Sequence, residues 1–233
     1  MVNLARLIQS DRRTEPITIA ATIDTALCIG AGGSSGSLAD KPIVRDAMGR
    51  FVIPASQIKG RLRHECEKLG RALEWDVCGS PIAQNMCPQR ASSPGQSGNY
   101  CKICQIFGNP RFPSHVLFDD LICKQDTASL PEFTRPGVTI SRKLRTAKDQ
   151  KLFYLETTPP ASELKFEGNI NFIPDRPGYA KPLIFAALKH INALGGSKSA
   201  GLGWLSWDLS AFQITEADIQ ELQATEGSSN AAG

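Results

Sequence analysis

The chain has 233 residues, 41% of them hydrophobic, which suffices for one sizeable core, and its 26 basic against 23 acidic residues leave a net charge of +3. That charge is too small to mark a nucleic-acid binder by itself, and no apolar run approaches the roughly 18 residues that a spanning helix requires. Seven cysteines would leave one unpaired in an oxidising compartment, and no charged start with an apolar run suggests a leader, so the expectation is a cytoplasmic protein with no membrane partner.

In chain order, Ile17, Ile19, Ala21 and Ile23 alternate with Thr18, Ala20 and Thr22, the period of a half-buried strand. It feeds a loop with Gly30, Gly32, Gly33, Ser34 and Gly36, suited to presenting main-chain N–H groups to an anion. Asp40 then precedes Lys41-Pro42, which on composition alone reads as a turn-capping aspartate, and Asp46-Ala47-Met48-Gly49 reads as a second turn. From Ser56 the apolar stripe Ile58, Leu62, Cys66, Leu69 and Leu73 predicts a helix. Lys59 and Arg63, four residues apart, share another face of it and are expected to reach one phosphate track together, with Arg61 between them.

Residues 75–108 carry Cys78, Cys87, Cys101 and Cys104, spaced C-x8-C-x13-C-x2-C among prolines and glycines with little periodic hydrophobicity. A segment with so little apolar material of its own gains folding free energy from a tetrahedral zinc held by four thiolates, and a closed site of that kind is structural rather than catalytic. Cys28, Cys66 and Cys123 lie in apolar contexts and are expected to be buried thiols. Trp75, Trp204 and Trp207 read as core residues before base-stacking ones.

A strand is expected over His115 to Lys124, followed by a strongly basic stretch in which Arg135, Arg142, Lys143, Arg145, Lys148 and Lys151 face only Asp149. Leu164, Phe166, Ile170 and Phe172 alternate with polar residues as another strand, and Pro182 to Leu194 reads as a helix stopped by Gly195. A second glycine loop, Gly195 to Gly203, leads to a closing strand at Leu205, Trp207 and Leu209, then to a short helix from Thr215 and a tail from about 224 to 233. Two nucleotide motifs fail on spacing. Ser35 stands where the dinucleotide fingerprint needs its third glycine, and Ser197 separates glycine from lysine in the would-be P-loop, which also follows a helix instead of a strand. The element order predicts one α+β domain over 1–233, of ferredoxin-like or RRM-like type, with the cysteine-rich stretch as an insertion.

Three segments carry a resemblance. The first joins Ala39-Asp40-Lys41-Pro42-Ile43-Val44-Arg45-Asp46 to Ile53-Pro54-Ala55-Ser56-Gln57-Ile58-Lys59-Gly60-Arg61-Leu62-Arg63. The second is Gly137-Val138-Thr139-Ile140-Ser141-Arg142-Lys143-Leu144-Arg145-Thr146-Ala147, with Ser141 where an acid is common. The third is Leu194-Gly195-Gly196-Ser197-Lys198-Ser199-Ala200-Gly201-Leu202-Gly203. In this order they resemble the signature of the RAMP superfamily, and within it the backbone subunits of type III CRISPR effector complexes of the Csm and Cmr kind.

The resemblance implies a RAMP fold with a basic thumb hairpin over about 133–155. It implies binding of a CRISPR RNA and a single-stranded target RNA, and assembly with other RAMP subunits and a large subunit. Asp40 falls where cleaving members carry their target-cutting aspartate, acting with or without magnesium. Contacts to RNA are expected from Gly32, Gly33, Ser34, Arg45, Ser56, Lys59, Arg61, Arg63, Arg142, Lys143, Arg145, Gly196, Ser197 and Lys198. The alternatives are a scaffold subunit that binds guide RNA without cutting, and a guide-processing endoribonuclease. The latter is disfavoured because His64, His115 and His190 suggest no catalytic pair.

Overall fold

A computed structural model of the chain describes residues 14–30, 39–87, 100–111, 113–127, 130–131, 133–160 and 163–227. In chain order the elements are β1 (Glu15–Ile23), β2 (Val52–Ile53), α1 (Ala55–Ala72), α2 (Lys102–Phe107), β3 (Val116–Phe118), β4 (Leu121–Cys123), β5 (Phe133–Ile140), β6 (Ala147–Thr157), β7 (Leu164–Phe172), α3 (Ala180–His190), β8 (Leu205–Asp208) and α4 (Glu216–Gly227).

The main sheet is antiparallel in the order β2-β4-β7-β1-β8, with β3 also paired to β7. β1 and β7 pair along their whole lengths, from Glu15 opposite Phe172 to Ile23 opposite Leu164, so their alternating apolar residues fall on one face. Ile17, Ile19, Ala21, Ile23, Leu164, Phe166, Ile170 and Phe172 are all buried there, in one cluster with Ile58, Leu62 and Cys66 of α1 and Leu183, Ile184, Ala187 and Leu188 of α3. Each fully buried side chain of this size contributes about 1.5–3 kcal/mol, so this face is the main stabilising element.

The strand expected over 115–124 divides into β3 and β4 around Asp119 and Asp120. Both carboxylates have work there. That of Asp119 accepts from the Asn169 and Asn171 side chains at 3.1 Å each, and that of Asp120 accepts the Ala55 N–H at 2.6 Å, closing the N-terminus of α1. Gly168 makes the interruption possible, because a Cβ there would stand 2.6 Å from the Asp120 carbonyl oxygen.

The helix expected over 182–194 runs instead from Ala180 to His190. Ile191 to Leu194 turn extended because their main chain pairs across to β8: Leu205 N–H donates to Asn192, Leu194 N–H to Gly203, and the Trp207 indole N–H to Ile191. Gly195 therefore opens the loop without capping the helix. β5 and β6 form a separate two-stranded antiparallel sheet whose turn carries Arg142, Lys143 and Arg145, all exposed. Ser141 organises that turn, its hydroxyl accepting the Leu144 N–H at 3.2 Å and its carbonyl the Arg145 N–H at 2.7 Å, so it serves as the acceptor an acid would be.

Candidate nucleic-acid interface and cysteine cluster

The entrance of α1 and the second glycine loop form an open cleft of about 300 Å³, lined by Ser56, Gln57, Gly60, Arg61, His64, Leu194, Gly195 and Lys198. The loop is held in shape by the irregular segment leading out of β1: Gly196 N–H donates to the Cys28 carbonyl at 2.8 Å and Gly203 N–H to that of Ala26 at 2.9 Å. Ser197 adopts a left-handed conformation, φ 54°, which turns the chain into the short helical segment Lys198–Ala200. Lys198 is exposed and reaches back to the Gly195 carbonyl at 3.0 Å.

The cleft has polar atoms without partners. Gln57 Oε1 and Arg61 Nε are buried and unbonded among the described residues, although another Arg61 nitrogen pairs with buried Glu65 at 2.8 Å. A buried donor left without a partner is costly, and a phosphate oxygen would satisfy it. Lys59 is half-buried, and burial together with the nearby Arg63 charge lowers its pKa.

Two expected RNA contacts point elsewhere. The Arg63 guanidinium donates to Glu67 at 3.1 Å, the Gly108 carbonyl at 3.1 Å and Cys104 Sγ at 3.4 Å. That of Arg45 lies over the Phe51 ring, 4.1 Å from its centroid, and donates to the carbonyls of Gly49, Thr127 and Leu130. Spacing along a helix or strand cannot see such partners, which are supplied by distant loops. Gly32, Gly33 and Ser34 lie outside the described residues.

Asp40 is exposed at the root of the β5–β6 hairpin. Its N–H donates to the Tyr154 carbonyl at 3.1 Å, and its Oδ2 accepts the Tyr154 N–H at 2.8 Å, so a chain segment 114 residues away fixes the carboxylate. The clasp continues along β6: Glu156 N–H donates to Lys41, and the buried Glu156 carboxylate accepts the Ile43 N–H at 3.0 Å. Leu27 and Thr158 close it from the other side, with Leu27 N–H on the Thr158 hydroxyl at 2.9 Å. Nothing in the local sequence of Tyr154 or Glu156 announced this role.

Asp46, by contrast, is a turn residue. One oxygen accepts the N–H groups of Met48 and Arg50 at 2.9 Å each, and the other pairs with the Arg50 guanidinium at 2.7 Å. Desolvation pushes its pKa up, but these hydrogen bonds outweigh it and hold the carboxyl below its ordinary value.

The four cysteines converge. Their Sγ atoms all lie within 4.8 Å of one another, all four residues are buried, and Cys78 and Cys104 are 3.6 Å apart. Zinc–sulfur bonds of about 2.3 Å in a tetrahedron put the sulfurs a little under 4 Å apart, so the cluster fits such an ion. The Cys101-x2-Cys104 half-site is preorganised by the Cys104 N–H, which points at Cys101 Sγ from 3.4 Å. A hydrogen bond from the Cys104 thiol brings the Cys101 thiol down to about 5, against the burial that raises it. Among the described residues this is the one group of three or more His, Cys, Asp or Glu ligands close enough for an ion, and Asp40 is not part of such a group.

Cys28, Cys66 and Cys123 are buried, and burial raises all three thiols. The charges of Lys41 and Arg135 act on Cys28 in the opposite sense. Trp75 is core, over which Lys102 sits 4.3 Å from the ring centroid, whereas Trp204 is exposed. No helix among the described residues is long and apolar enough to cross a membrane.

With the second glycine loop facing a cationic helix and a basic hairpin beside an exposed acid, the chain belongs to the RAMP superfamily, whose family model matches residues 21–206. It is 27% identical over 175 residues to the CRISPR system Cms endoribonuclease Csm3 of Methanocaldococcus jannaschii, covering 70% of this chain and 65% of that relative. The fold is similar to a chain in the cryo-EM structure of the type III-B Cmr-beta bound to cognate target RNA, with a TM-score of 0.55 and 20% identity over 88% of this chain and 62% of that one. The chain thus spans just under two thirds of the length of each.

Proposed function

We propose that the chain is an RNA-binding backbone subunit of a type III CRISPR effector complex, and that it cuts guide-paired target RNA beside Asp40. Its relative's name, an endoribonuclease of a CRISPR system, supports the class of activity. The order β4-β7-β1-β8, with α1 after β1 and α3 after β7, supports the ferredoxin-like reading of a single domain carrying an insertion and a thumb. In this reading the guide backbone lies in the cleft against Ser56, Lys59, Arg61, Gly196, Ser197 and Lys198. The hairpin with Arg142, Lys143 and Arg145 separates bases of the guide–target duplex. Recognition by base pairing leaves backbone contacts to the protein. The four cysteines hold a structural zinc, which would fix the insertion and supply no chemistry to the cut, and seven unpaired cysteines suit a reducing cytoplasm.

One observation carries the catalytic part: Asp40 is exposed, anchored through Oδ2 by a main-chain donor at the hairpin root, and its Oδ1 has no hydrogen bond among the described residues. An RNA nucleotide displaced there can present its 2′-hydroxyl to that oxygen. Asp40 takes the hydroxyl proton as the 2′-oxygen attacks the adjacent phosphorus, the bond from phosphorus to the 5′-oxygen breaks, and a proton from water completes the 5′-hydroxyl. The products are a 2′,3′-cyclic phosphate and a 5′-hydroxyl end. Restricting the nucleotide to the in-line geometry is the hairpin's contribution, and a divalent ion such as magnesium is compatible with this step without being required by it.

Asp40→Asn in the assembled complex tests this. Assembly and target binding should persist, while cleavage beside this subunit falls by about 10²–10⁴. Cleavage at the wild-type rate there would overturn the catalytic reading and leave the scaffold reading, which the commitment of Oδ2 to Tyr154 favours.

A further inference from the structure

The motif that introduces α1 spaces Lys59, Arg61 and Arg63 as if all three served one ligand, yet the third cation is spent on the cysteine cluster. All three Arg63 nitrogens are engaged, and each partner lies outside the cleft: Glu67 Oε1, the carbonyl of Gly108 just past α2, and Cys104 Sγ. The side chain is 22% exposed, and it joins the third turn of α1 to a sulfur 41 residues further along the chain. Four thiolates around a divalent ion leave a net charge of −2 in a buried place, which a permanently charged guanidinium at hydrogen-bond distance offsets. Its planar fork also fixes the direction from which Cys104 presents its lone pair.

We propose that Arg63 is a positioning residue of the metal centre, holding Cys104 and balancing the charge of the thiolates, and that it makes no contact with RNA phosphate. This rests on the reading that the four cysteines bind metal. Outer partners of this kind are worth about 10- to 100-fold in metal affinity. Arg61 and Lys198 are the cations that line the cleft.

The experiment compares full-length wild type with Arg63→Gln and Arg63→Lys. Zinc affinity is read by competition with a chromogenic chelator, the thiolate-to-metal charge-transfer band is read after cobalt substitution, and the salt dependence of binding is read with poly(U). In Arg63→Gln, zinc affinity should fall by about 10- to 100-fold and the cobalt band should shift. The slope of log affinity against log salt should stay as in wild type, whereas loss of one phosphate contact would flatten it by about 0.7. Should Arg63→Gln fail to fold, Arg63→Lys carries the test, because an ammonium cannot reach all three acceptors at once. Zinc affinity unchanged in the variants, or a flattened slope, would overturn the proposal. A wild-type chain that takes up no metal would overturn the four-thiolate reading itself, and the proposal with it.

Discussion

Gly201 and Gly203 are both left-handed, with φ of +83° and +72°, but only one of them is hemmed in. A Cβ on Gly201 meets open space, whereas one on Gly203 would fall on the carbonyl oxygen of Leu194, to which the loop is tied. Gly201→Ala should therefore cost only backbone strain, about 1 kcal/mol, and Gly203→Ala that strain plus a clash, about 3 kcal/mol. Urea unfolding of the two variants checks the difference, and equal losses would show that the loop relaxes around the added methyl. The sequence made this stretch legible as a tight loop, because glycines cluster there. Which glycine is indispensable was not legible, since the Leu194 carbonyl reaches it only after α3 ends four residues earlier than its apolar pattern suggests. The division of labour among Lys59, Arg61 and Arg63 was hidden for the same reason: i and i+4 fix a shared helix face, not the acceptors that meet it.

Among elements, the β5–β6 hairpin has the clearest separation of roles. Its root is bound to the body through Asp40, Lys41 and Ile43, and its turn carries cations with no buried partner. Reversing Arg142 and Lys143 to glutamate should leave the melting temperature within about 1 °C, as surface substitutions usually do, while weakening RNA binding and flattening its salt dependence. Unaltered RNA affinity in a binding titration would remove the turn from the interface. β1, β7 and α1 were readable in advance because alternation and the 3.6 period survive in their apolar residues. The break between β3 and β4 was not, since it depends on Asp120 capping a helix that begins 65 residues earlier.

At the scale of the whole molecule, the cysteine cluster is not an appendage. Cys78, Cys87, Cys101 and Cys104 share one buried cluster with Trp75, Ile103, Ile106, Phe107 and the sheet. Metal binding is then coupled to folding of the chain at large. Stripping zinc with a strong chelator should lower the melting temperature of the entire transition, and zinc added back should restore it. A calorimetric transition indifferent to chelation would confine the ion to a local role or dismiss it. The hairpin has a different consequence for the isolated chain. Val138, Ile140, Leu144 and Leu152 stand 45–70% exposed on it, beside a β5 edge unpaired among the described residues. An open strand edge bordered by apolar side chains is a template for its own kind. Pro136 within β5 and the positive turn blunt it, by withholding a donor and by mutual repulsion. A subunit produced alone should accordingly keep best when dilute and in little salt, because salt screens the repulsion that holds copies apart.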